Sequence, residues 1–144
     1  KKRIWRKYWK RVIIIFLIFS VVPATLKFVI KFNELNKPEN IYNANVGSYQ
    51  NYAEQGFKRF KAGKVNAWDT EVIPNYFEKI EYMLMPDENS FMYVVKVGKK
   101  KAEGFVITQN DIQPEKYDTK KLGWDGAITF NKIADNVWTF EDKV

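Results

Sequence analysis

The residues that could do chemistry in this chain are few and of narrow kind. It contains no histidine and no cysteine, which removes the commonest general base, the imidazole and thiolate metal ligands and the thiol nucleophile. Disulfides and lipid attachment through cysteine are excluded with them. Carboxylates, hydroxyls and lysines remain. Asp69 and Glu71 flank Thr70 beside Trp68, and Asp125 lies between Trp124 and Gly126. Two carboxylates roughly 5 to 9.5 Å apart are the equipment of a glycoside hydrolase, but sequence separation does not predict that distance. Asp125-Gly126 equally suits a turn before a strand, and Asp111 and Asp118 stand in polar loops where such residues are usual. There is no glycine-rich phosphate cradle, serine nucleophile elbow or calcium-loop spacing. These observations favour a protein that is not an enzyme and uses neither cofactor nor metal.

Binding is the alternative to catalysis, and Trp68, Trp124 and Trp138 are the candidate partner contacts. Tryptophan is over-represented among residues that dominate interface energy, and it is also a frequent core residue in a small domain. An edge strand, such as the last one ending at Val144, is a second route to a partner.

Such groups need elements to position them, and the strongest pattern lies at the start of the chain. Lys1, Lys2, Arg3, Arg6, Lys7, Lys10 and Arg11 precede an apolar run from Val12 to Ile30 interrupted by one charge, Lys27. The whole chain has 24 basic and 17 acidic residues, and those first cations leave the remainder balanced. The basic pI therefore belongs to the tail, and nucleic acid is not an expected partner. Residues 12–32 are long enough for a transmembrane helix. Retention of cations on the cytoplasmic side would put residues 1–11 inside and the rest of the chain outside, across a plasma or inner membrane. A cleaved signal peptide, with a weak site after Ala24, is the competing reading; the apolar character resuming at Phe28, Val29, Ile30 and Phe32 favours an anchor.

Ile4, Trp5, Tyr8, Trp9 and Val12 fall at helical spacing with cations between them. The expected membrane-interface residues are thus Trp5, Tyr8 and Trp9, with Arg3, Arg6, Lys7, Lys10 and Arg11 facing anionic lipid headgroups. Within the span, Pro23 should weaken one turn, with Ser20 able to bond to the helix backbone.

Residues 33–46 are polar and asparagine-rich, and Pro38 argues against a continuous helix, so the expectation is a stalk. Residues 47–144 are expected to form one α+β domain. Ser48 reads as a helix N-cap, Tyr49, Tyr52, Ala53, Gly56, Phe57 and Phe60 as one apolar face, and Gly63 as the stop. Alternation then predicts strands around residues 79–84, 91–97, 103–109, 127–131 and 137–141: a roughly five-stranded antiparallel meander with the helix on one face.

The order of elements, an apolar helix followed by a helix and an antiparallel sheet, resembles that of type IV pilins and pseudopilins. It departs from them in having no acidic residue within Val12 to Ile30 and in the interruption at Pro38. It is also similar to bitopic subunits of secretion and conjugation channels. The functional expectation is a non-catalytic single-pass accessory or structural subunit of a cell-envelope complex, with other membrane protein subunits as partners. The alternatives are a tethered extracytoplasmic sensor or ligand-binding module, and a membrane-anchored hydrolase using carboxylates.

Overall fold

Helical spacing as far as Lys61 gives way to alternation in the rest of the chain, and the secondary structure divides accordingly. The computed structural model describes residues 2–97, 101–111, 114 and 127–143. Three helices, α1 (Lys2–Leu35), α2 (Pro38–Ala44) and α3 (Val46–Lys61), precede six strands. These are β1 (Thr70–Glu71), β2 (Tyr82–Asp87), β3 (Ser90–Val97), β4 (Lys101–Thr108), β5 (Ala127–Ala134) and β6 (Val137–Lys143). The chain forms two units, residues 1–37 and residues 38–144.

The first unit is α1. Its 34 residues give a helix about 51 Å long, so the basic aromatic segment continues the apolar run as one helix and is not a separate element. Pro23 withholds an N–H from Phe19, and nearby hydroxyls bond to flanking carbonyls: Ser20 Oγ donates to Phe16 O at 2.6 Å, and Thr25 Oγ1 to Val21 O at 3.0 Å. The expected role of Ser20 is seen, although the carbonyl it meets is not the one that proline frees.

In the second unit, α2 replaces the expected stalk. Pro38 stands at its first position, where a missing N–H costs nothing and the fixed φ suits a helix. Ile41 and Tyr42 are buried in the core. Helix α3 follows as its apolar spacing predicts, burying Tyr49, Ala53, Gly56 and Phe57, with Asn45 and not Ser48 at its N-cap.

The sheet order is β1-β2-β3-β4-β6-β5, antiparallel at every pairing. It is not a simple meander: β6 inserts between β4 and β5. The last strand is therefore interior, and the expectation that it offers a free edge is corrected. The two-residue strand β1 was not anticipated. Between β2 and β3, Asp87 Oδ1 accepts the Asn89 N–H at 2.8 Å and closes the turn, while Pro86 sits in an irregularity of the ladder, where a strand tolerates proline.

The central strands bury both faces. Met83, Leu84 and Met85 are all inaccessible to solvent, as are Phe91 to Val94. On the helix side, Tyr42, Tyr49, Phe77, Tyr93 and Phe105 form an aromatic core. The Tyr49 and Phe77 rings stack at 4.5 Å and those of Tyr93 and Phe105 at 4.8 Å. Leu84, Met92, Val94, Ala102, Val106 and Phe140 make a second cluster on the opposite face. Gly104 allows the close approach at its centre: a Cβ there would lie 2.7 Å from the Phe140 ring and would overlap the Tyr93 carbonyl.

Candidate functional site

The groups singled out by chemistry are dispersed over the second unit. Asp69 is exposed and occupied locally, accepting from the Asn66 side chain at 3.0 Å. Glu71 lies in β1 with its side chain only 9% exposed, and its Oε2 receives Arg59 Nη2 of α3 at 2.5 Å. The same guanidinium lies 5.2 Å from the centroid of the Tyr52 ring. Glu71 Oε1 is buried and has no hydrogen-bond partner. Asp69 and Glu71 thus serve a turn and a helix-to-strand ion pair. Asp125 and Asp118 lie outside the described residues.

Trp68 and Trp138 each pack against the cluster on the sheet face opposite α3 that contains Leu84 and Phe140. Trp68 adopts a φ of 70°, a strained value for a bulky residue, and its N–H donates to Met85 O at 2.8 Å. Trp138 is half-buried in β6 with Lys132 Nζ 5.6 Å from its ring centroid, and its indole N–H is buried without a partner. Trp124 lies outside the described residues. Of the membrane-interface candidates, Tyr8 and Trp9 are exposed on α1 at 66% and 58%. Lys10 is exposed as well, and Arg3, Trp5, Arg6, Lys7 and Arg11 belong to the same helix backbone. In the apolar stretch from Tyr8 to Leu35 no described residue is buried, and the stretch is long enough to cross a membrane.

Sequence reasoning did not find a cleft of about 410 Å³ between α3 and the end of the sheet, a volume usual for small-ligand sites. From α3, Gln50, Glu54, Phe57, Lys58 and Lys61 line it, a stripe created by the three-and-four spacing of a helix. Opposite stand Ile107 and Thr108 at the end of β4, Gln109 and Asn110 in the following 3-10 turn, and Asn136 in the β5–β6 turn. Asn110 and Asn136 occupy left-handed conformations, φ 57° and 62°, which asparagine tolerates well.

Asp111 ties these two loops together. Its Oδ1 accepts the Asn136 N–H at 2.8 Å and its Oδ2 pairs with Lys132. The hydrogen bond from Lys132 first, then that from Asn136, holds its carboxyl below the ordinary aspartate range. On the other side, Gln50 donates to the Tyr42 hydroxyl at 2.9 Å. Phe57 and Ile107 form an apolar floor, being 6% and 5% exposed. Among the described residues, Glu54, Lys58 and Lys61 have no ion-pair partner. Burial raises the phenols of Tyr42, Tyr49 and Tyr93, so these hydroxyls remain neutral donors at any physiological pH. Among the described residues no group of acidic side chains is arranged to hold a metal ion.

No protein-family model matches the sequence, and comparisons with curated proteins and with solved structures find no match.

Proposed function

We propose that this chain is a non-catalytic single-pass membrane protein, an accessory or structural subunit of a cell-envelope complex. In this reading α1 anchors it in the plasma (inner) membrane, and residues 38–144 hold a partner outside the cytoplasm. The observation that carries the proposal is α1 itself: an apolar stretch of 28 residues in which no described residue is buried needs either lipid or other subunits around it. The cations before it favour a cytoplasmic N-terminal side. Tyr8 and Trp9 suit the headgroup boundary, where amphipathic rings are favoured and anionic lipid attracts the neighbouring Lys10.

Absence of native cysteine makes the orientation directly testable. A single cysteine at Glu88, exposed beyond the β2–β3 ladder, should react with a membrane-impermeant maleimide in intact cells, whereas one at Lys7 should react only after permeabilisation. The opposite pattern would overturn the orientation. Native mass spectrometry of the full chain extracted in mild detergent should reveal stoichiometric companion subunits; a bare monomer under the mildest extraction would count against the subunit role.

A further inference from the structure

From the cleft beside α3 we infer a binding site for a small acidic saccharide, which goes beyond the anchoring and partner-holding role above. Chemistry and topology both narrow the occupant. Strand β4, which supplies one wall, is paired on both sides, by β3 and by β6. Among the described residues no strand edge opens into the cleft, so an extended peptide is not held there by backbone pairing with them. Recognition falls to side chains.

Those side chains form a consistent set. Gln109, Asn110 and Asn136 line one rim, and a carboxamide can donate and accept, as a sugar hydroxyl does. Lys58 and Lys61 outnumber Glu54 on the α3 side, which gives the cleft an excess positive charge suited to a carboxylate. Phe57 and Ile107 close its base but expose little surface, so a sugar there is held mainly by the polar groups. The two asparagines rest on loops braced by Asp111, so the rim is built before a ligand arrives.

The test is calorimetric titration of the full chain in nanodiscs of zwitterionic phosphatidylcholine, with digalacturonate as the probe and galactobiose as its neutral counterpart. Saturable binding of digalacturonate, at least about tenfold tighter than galactobiose, is expected, because charge-assisted hydrogen bonds supply the difference. The double variant Lys58→Gln/Lys61→Gln should lose about tenfold in affinity for the acid while keeping the wild-type melting temperature. Asn136→Asp, whose new side chain tolerates the same left-handed backbone, should weaken binding of the acid through repulsion. No saturable binding, equal affinity for the neutral sugar, or an undiminished affinity in the double variant would each overturn the inference.

Discussion

At the scale of single residues, Gly104 faces the Tyr93 carbonyl, which belongs to a paired strand and cannot swing away as a flexible side chain would. Gly104→Ala should therefore destabilise the second unit by about 1 to 3 kcal/mol, the usual cost of overpacking, read as a lower urea midpoint. Asp111 makes the opposite kind of contribution, electrostatic and dependent on pH. Its carboxyl is held below the ordinary aspartate range by Lys132 and then by the Asn136 N–H. A lowered native value means that the stabilisation is complete above the unfolded value, about 3.9, and is lost as pH falls below it through the native value. The stability difference between wild type and Asp111→Asn should accordingly be constant from neutral pH to about 5 and shrink below about 4. A constant difference down to strongly acid pH would show that the ion pair with Lys132 is not its origin.

At the scale of elements, local signals were legible and long-range ones were not. The apolar face of α3 could be read from Tyr49, Ala53 and Phe57, because a helix declares its buried side by spacing alone. Helix α2 was hidden because Pro38 and its neighbouring asparagines resemble a linker, although proline is at home in the first helical position. The insertion of β6 between β4 and β5 could not be read from alternation, which identifies a strand but not its neighbours. The cleft was invisible for the same reason: α3, the turn after β4 and the β5–β6 turn meet only in three dimensions. The tryptophans could be chosen by type, but not the shared packing of Trp68 and Trp138 on one face. One prediction belongs here. A fragment of residues 38–144 should melt cooperatively, while residues 47–144, lacking buried Ile41 and Tyr42, should lose several kcal/mol or fail to fold. Equal melting temperatures for the two would show that α2 is dispensable.

The whole molecule has two units with different sources of stability. The sheet unit depends on burial of side chains from strands distant in sequence, whereas the backbone hydrogen bonds of α1 are internal to one helix. In detergent micelles, heating should abolish the near-ultraviolet signal of the packed tyrosines while much of the helical far-ultraviolet signal persists. Simultaneous loss of both would indicate that the two units unfold as one cooperative system.

The interior place of β6 also orders events during synthesis. When a ribosome has delivered residues as far as Asn136, β4 lacks its second neighbour and β5 has no partner, since both pair with residues 137–143. The next seven residues complete the sheet, since β6 joins β5 to β4. Over that interval β5, with Phe130, is unpaired and β4, with Phe105 and Val106, has one open side, the state in which a growing chain is most easily captured by another. Folding of the sheet is thus a late event, following the emergence of α1 from the ribosome by roughly a hundred residues of translation.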